Sequence, residues 1–212
     1  LLDCVKHLFV ASDGEDAEGL VVRLAAALRV NLSLKSIWLL IPLKLEAVRA
    51  LGQALAVNDA LNKLCLSGCK WDLKTMGGDD DNYDTDPYGT DTDDEYMESS
   101  RFLSSDDEEE AAFGLDKKKS FYTDPSIAEQ VLQLPQAFAE GLRHNTSLRT
   151  IDLSSCELMD EVLAIILQAL VGHPALEHLD ISRNRAGRES IRALAELVGH
   201  PQSTLMTLNL GE

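Results

Sequence analysis

The chain has 212 residues, 45% of them hydrophobic, enough to bury one sizeable core and to form one or two domains. Its 19 Lys and Arg stand against 36 Asp and Glu, a formal charge of −17, so nucleic acid and anionic membrane are poor partners for the whole molecule and a basic protein surface suits it better. No apolar run reaches the ~18 residues of a membrane span, no leader segment opens the chain, and Cys4, Cys65, Cys69 and Cys156 fall in no disulfide or zinc spacing; a cytoplasmic or nuclear piece of a longer protein, with reduced thiols, is expected.

Taken in chain order, one template, L-x-x-L-x-L-x-x-N/C-x-L, begins six times. Weaker copies open at Val5, with Leu8 and Val10, and at Leu34, with Ile37 and Leu39. "ALNKLCLSGCKW" then sets Leu61, Leu64, Leu66, Cys69 and Trp71 on it. "SLRTIDLSSCEL" follows with Leu148, Ile151, Leu153, Cys156 and Leu158, and "ALEHLDISRNRA" with Leu176, Leu179, Ile181, Asn184 and Ala186. "TLMTLNL" begins it again at Leu205, Leu208 and Leu210. The starts lie 29, 27, 87, 28 and 29 residues apart, so either two repeats hide in the long interval or one repeat carries an insertion of about 58 residues. Between Asp72 and Ile127 the sequence is polar and acidic without a strand template, which favours the insertion. The organisation is therefore repeats over 1–71, an acidic insertion over 72–126 expected to be disordered, and repeats again over 127–212.

The second half of each unit has helical periodicity. In "MDEVLAIILQALVGHPAL" Val162, Ile165, Ile166, Ala169 and Leu170 recur at three- and four-residue steps, and Gly172 with Pro174 ends the helix. Asn31, Asn58 and Asn145 stand where the chain turns back toward a strand, a place where Asn tolerates positive φ. Asn145-Thr146-Ser147 is a glycosylation acceptor in form, but helix termination accounts for it better. Pro135, aligned with Leu163, falls near the first turn of its helix, which leaves Asp124 to Gln133 as a separate helical turn or two.

These motifs resemble the ribonuclease-inhibitor-like class of leucine-rich repeats, over about Val5 to Asn209 apart from the insertion. Pro42 and Asp13 depart from the Cys or Asn of the ninth place. The resemblance implies an α/β solenoid, a curved parallel sheet with outer helices. Its functions are diverse, from enzyme inhibition to GTPase activation. Positions one, four, six and nine of each unit should enter the core, and positions three and five should stand out on the concave face. Cys69 and Cys156 are then buried, and Cys65 is the thiol expected on that face.

The fifth-place row is Phe9, Trp38, Cys65, Asp152, Asp180 and Asn209, with Leu40 and Ile41 extending its apolar end. Aromatic side chains on a sheet face are the types that dominate interface energetics, and the acids would attract a basic group. The alternative is that Phe9 and Trp38 pack beneath an adjoining unit or the insertion. The third-place row, His7, Ser36, Lys63, Thr150, His178 and Thr207, is polar. Lys63 and His178 join the candidate partner-binding residues; His178 and Asp180 share a face but have no nucleophile beside them. No phosphate-binding loop, metal-ligand set or catalytic triad occurs on the repeats, so no enzyme activity, cofactor or metal is expected.

Gly78 to Glu110 holds ten Asp and five Glu against Arg101 alone. Its window "DTDPYGTDTDDE" has acids at the first, third and twelfth places and Gly89 at the sixth, as a calcium loop does. Tyr88 replaces an oxygen ligand, Asp91 an apolar anchor, and no amphipathic helix flanks it, so a specific calcium site is not expected. Ser104 and Ser105, followed by Asp107 and Glu108, are acceptors for acid-directed kinases of the casein-kinase type; a solvated spacer is the plainer account. The function expected is recognition of a protein partner through the concave face. The alternatives are electrostatic capture of a basic partner by the insertion and, by resemblance alone, regulation of a small GTPase.

Overall fold

The computed structural model describes residues 5–12, 16–71 and 125–211, the side chains of 125–132 excepted. Strands and helices alternate as β1 (His7–Ala11), α1 (Ala17–Leu28), β2 (Ser36–Leu40), α2 (Leu45–Leu55), β3 (Lys63–Cys65), α3 (Pro125–His144), β4 (Thr150–Asp152), α4 (Asp160–Leu170), β5 (His178–Asp180), α5 (Arg188–Gly199) and β6 (Thr207–Asn209). The strands form one parallel sheet in chain order. Their register sets Leu8, Ile37, Leu64, Ile151, Leu179 and Leu208 in one row. That row is the fourth place of the template, so the periodicity of the leucines is the register of the sheet. Because β4 pairs directly with β3, Thr150 against Lys63, the 87-residue interval adds no strand between them.

A strand places alternate side chains on opposite faces, and a helix buries one stripe. The core lies where the two meet. Leu61, Leu64, Leu66 and Cys69 of the third unit, and Leu148, Ile151, Leu153 and Cys156 of the fourth, are at most 1% exposed and pack with Leu51, Leu55, Phe138, Leu142 and Ile166 from the helices. Trp71 closes the third unit edge-on to Phe138, with ring centroids 5.4 Å apart. Each helix packs on its neighbours in sequence. Backbones approach most closely between α2 and α3: a side chain at Gly141 would meet the Gly52 carbonyl, and one at Gly52 the Ala137 carbonyl. The fold is leucine-rich-repeat-like.

Two side-chain ladders stitch unit to unit. In the first, Asn58 donates to the carbonyls of Leu28 (2.6 Å) and Asn31 (2.9 Å), and Asn145 to those of Leu55 (2.7 Å) and Asn58 (3.0 Å). The amide oxygens of these residues accept from the backbone two and three positions on, at Ala60 and Leu61 and at Ser147 and Leu148. The expectation of positive φ at Asn31, Asn58 and Asn145 was wrong: the positive-φ non-glycine residues described are Ser155, Glu157 and Arg183. Asn is used for its side chain, which satisfies donors and acceptors left over where a helix ends. Asn145 is 1% exposed with both amide hydrogens engaged, which agrees with helix termination and leaves it closed to glycosylation. In the second ladder Cys69, Cys156 and Asn184 at the ninth place donate back to the carbonyls of Leu39, Leu66 and Leu153. Pro42 cannot donate, and it lies exposed outside this ladder.

Pro135 also departs from expectation. It sits inside one continuous 20-residue helix, α3, rather than near the start of a shorter one. Leu134, Phe138, Ala139 and Leu142 anchor the later part of that helix in the core, and this burial outweighs the backbone bond that a mid-helix proline forfeits. The N-terminus of α5 is held from the neighbouring unit: Asp160 accepts from the backbone of Gly187 (2.9 Å), Glu189 (3.1 Å) and Ser190 (2.8 Å). Burial opposes the charge of Asp160, but these bonds and the Ser190 hydroxyl bring its pKa below the usual carboxylate value.

Candidate functional site

The outward rows of the sheet carry the candidate site. Sheet register brings Phe9, Trp38, Cys65, Asp152, Asp180 and Asn209 side by side, and likewise His7, Ser36, Lys63, Thr150, His178 and Thr207. Their environments divide the face in two.

At the β1–β3 end the surface is apolar and cationic. Phe9 is 66% exposed and Leu40 48%, with Trp38 half-buried on β2 beside Phe9. The Lys63 ammonium stands 5.3 Å from the Trp38 ring centroid, a cation–π distance, and the His7 ring lies tilted 6.2 Å from the same indole. His7 is fixed in turn by a hydrogen bond with the Ser36 hydroxyl. Trp38 is therefore pinned from both sides, and a rigid aromatic loses little rotamer freedom when a partner covers it. Ile41 does not extend this patch. At 1% exposure it points into the core, because it follows the outward Leu40 by one residue and strand alternation reverses the face.

At the β4–β6 end the polar residues are tied down. Asp152 Oδ1 accepts from the Ser154 amide (3.0 Å) and hydroxyl (2.7 Å), and Asp180 Oδ1 repeats this with Ser182 at 3.0 and 2.6 Å. Asn209 Oδ1 accepts from the Gly211 amide, and its Nδ2 donates to Asp180 Oδ2 at 2.9 Å. Burial works against the Asp180 charge, yet the bonds from Ser182 and Asn209 prevail and lower its pKa. His178, exposed, shares a hydrogen bond with Thr207 rather than with Asp180.

Cys65 differs from expectation. It is 7% exposed, buried between Trp38 and Asp152 in its row, and its thiol donates to Asp152 Oδ2 at 3.2 Å. Burial raises its pKa to about 11, with the Asp152 contact adding to the effect and the Ser67 backbone opposing it, so it stays a protonated, unreactive thiol at neutral pH. Cys69 and Cys156 are buried as expected.

The serines were missed. Ser67, Ser154, Ser155 and Ser182, with Arg183 and Asn209, line an open polar cleft of about 390 Å³ at the ends of β3–β6. The signal for them was the spacing D-x-S, present as Asp152-Leu153-Ser154 and Asp180-Ile181-Ser182, in which a carboxylate bonds the backbone two residues on. The Ser154 and Ser182 hydroxyls donate to Asp152 and Asp180, and the Ser67 and Ser154 hydroxyls share a hydrogen bond. The calcium-like window and the acceptors Ser104 and Ser105 lie outside the described residues.

No family model and no curated protein matches the chain. Solved structures do. The leiomodin-1 actin-binding site 2 aligns over 95% of this chain and 82% of its own, with a TM-score of 0.52 and 11% identity. The tropomodulin C-terminal domain of Caenorhabditis elegans aligns over 91% and 83%, with a TM-score of 0.47 and 12% identity. The likeness is one of fold. It agrees with the leucine-rich-repeat pattern of the sequence and assigns no residue a role.

Proposed function

We propose that this protein is a non-catalytic recognition scaffold that binds a protein partner through the outward face of its sheet. Residues 1–71 and 127–212 act as one unit, a short solenoid, and 72–126 is an insertion outside it. Phe9, Trp38 and Leu40 serve as apolar anchors. Lys63, Asp152, His178, Asp180 and Asn209 make up the polar part of the surface. One observation carries this reading: an exposed Phe9 and Leu40 flank a pinned Trp38 on a face whose other outward residues are small, polar or buried. Aromatic anchors of this kind contribute most where a partner excludes water from them.

The test is affinity capture with the full chain, comparing Phe9→Ala and Trp38→Ala with Glu196→Ala on exposed α5. The anchor variants should lose the captured protein while Glu196→Ala keeps it; equal effects would sink the concave-face reading. A second reading rests on the charge of residues 78–110, which would capture a basic partner. Deleting 78–110 and raising the salt should abolish that mode and spare anchor-driven binding. Since the leiomodin-1 domain sharing this fold is an actin-binding site, filamentous actin is one partner to try, by co-sedimentation.

A further inference from the structure

The turns that lead from each helix into the next strand share one construction, and the first two carry unusual side chains on it. In the turn before β2, Asn31 accepts from the amides of Ser33 (3.0 Å) and Leu34 (2.7 Å); in the turn before β3, Asn58 accepts from those of Ala60 (3.0 Å) and Leu61 (2.8 Å). Asn58 also donates to the Asn31 carbonyl at 2.9 Å, so one turn is stacked directly on the other. Residues flanking the asparagines are left outside this network: Val30, Leu32 and Val57 are 80%, 72% and 56% exposed. In the next two turns the same places hold His144 and Thr146, then Gly172 and Pro174. Since the fold accepts polar residues, glycine and proline there, it does not require the aliphatic side chains of the first two turns. Neighbouring exposed aliphatics on a backbone held in this way mark a surface that another molecule covers.

Cations border the cluster. Arg29 immediately precedes Val30, and Lys35 follows Leu32 by three residues. The Lys35 amide donates to the Lys6 carbonyl at 2.7 Å, which sets the two lysines side by side at the heads of β1 and β2. Among the described residues Lys6, Arg29 and Lys35 form no ion pair, whereas Arg149, further along the same row of strand heads, is bonded to Glu177. Asp59, which takes the place of Leu32 on the second turn, bridges to none of them. This rim lies at the heads of the strands, and Leu40 ends β2 at the opposite end.

We infer that the rim formed by the turns before β2 and β3 is a second docking surface, which takes an acidic segment of another protein carrying a large apolar side chain. It is separate from the concave-face reading and stands or falls without it. The apolar side chain of the segment packs over Val30, Leu32 and Val57, and its carboxylates meet Arg29, Lys35 and Lys6. The net charge of −17 does not forbid this, because at physiological salt a short segment senses charges within about 8 Å. An anionic bilayer, by contrast, would face the acidic molecule over a broad plane, which is why a peptide segment is the better fit.

The experiment selects peptides from a random phage-displayed library on the immobilised full chain, after depletion on the full chain carrying Val30→Ser/Leu32→Ser/Val57→Ser, so that only peptides needing the rim survive. All three positions are exposed, and thermal melts report whether each variant keeps the fold. Survivors are measured by fluorescence anisotropy on the parent chain, on Arg29→Glu/Lys35→Glu and on Phe9→Ala. They should combine Asp or Glu with Leu, Phe or Trp, bind about tenfold more weakly to the double charge reversal, weaken with salt, and be unaffected by Phe9→Ala. An empty selection would overturn the rim as a docking surface and leave the concave-face reading untouched. Basic or neutral survivors, indifferent to the charge reversal, would overturn the acidic partner. An equal loss on Phe9→Ala would overturn the separation of the two surfaces. Co-sedimentation of the chain with vesicles of equimolar phosphatidylserine and phosphatidylcholine, abolished by the same rim variants, would assign the rim to a membrane instead.

Discussion

Replacing Asn145 by Ala tests whether the repeat stack is continuous across the 87-residue interval. The Asn145 side chain is 1% exposed and makes four hydrogen bonds to backbone: it donates to Leu55 and Asn58, and accepts from Ser147 and Leu148. Alanine removes the side-chain partner of all four backbone groups. Asn58 keeps one partner, the Ser147 hydroxyl at 3.2 Å. The Leu55 carbonyl and the Leu148 amide are left buried and the Ser147 amide part-buried, at roughly 1–3 kcal/mol each, and allowing for relaxation and water entry the loss is about 3–5 kcal/mol. Asn31 is the internal control. It is half-buried, and its oxygen accepts from Ser33 (3.0 Å) and Leu34 (2.7 Å), so Asn31→Ala should cost about 1–2 kcal/mol. The assay is urea unfolding followed by circular dichroism, with equal m-values confirming that both variants unfold from a comparable state. Asn145→Asp keeps the acceptor half and turns a carboxylate toward the Leu55 and Asn58 carbonyls. Its folded-state pKa is thereby raised, and the variant should recover stability as pH falls below the folded value and lose it as pH rises. A loss at Asn145→Ala within about 0.5 kcal/mol of that at Asn31→Ala would refute the ladder as the device joining α2 to the unit after the insertion.

Three further outcomes follow from the same geometry. Gly141→Ala should destabilise by about 2–3 kcal/mol, because its Cβ would overlap the Gly52 carbonyl and the α2 and α3 backbones must part, whereas Gly199→Ala, with open space around it, should be neutral or stabilising in the same melts. Burial pushes the His173 pKa below the ordinary histidine value, with the Asn145 backbone pulling weakly the other way. The unfolded chain therefore binds the proton first, and stability present above pH ~6.5 is lost as pH falls below it. His173→Asn, the residue at that place in preceding turns, should flatten the decline between pH 7.5 and 5 in denaturant midpoints. In a Cys4→Ser background the folded chain should react with a thiol reagent at least about 100-fold more slowly than in denaturant, since Cys65 and Cys156 are buried with pKa values pushed up to about 11 and about 12.

Much of this was legible in the sequence because a repeat fold writes its register into its spacing. Leu64, Ile151 and Leu179 recur at the template interval and align as sheet neighbours, so the outward rows could be named residue by residue. What spacing does not encode is the local state of a side chain. Cys65 shares its row with Trp38 and Asp152, and only packing between those two larger residues reveals that it is covered. Asn31, Asn58 and Asn145 were assigned to helix ends correctly but for a backbone reason, when the operative groups are the side-chain amides, whose oxygens accept from the next turn and, at Asn58 and Asn145, whose hydrogens bridge to the previous unit. Pro135 misled because its alignment with Leu163 says nothing of seven extra residues wound ahead of the usual helix start.

The two ends of the outward face differ in a way that composition alone reverses. Counting charges suggests that Asp152 and Asp180 solicit a basic partner, while Lys63 is one lysine among polar neighbours. Geometry assigns them otherwise. Each acid spends one oxygen on a serine amide and hydroxyl two residues on, and a carboxylate so satisfied gains less from a newly arriving cation than a free one. Lys63 is oriented by the Trp38 ring and remains available to an anion, beside the apolar area that supplies the larger share of binding energy. A partner that satisfied the acids alone would bind where the surface has least to gain; one that covered Phe9 and met Lys63 would bind where both terms act together.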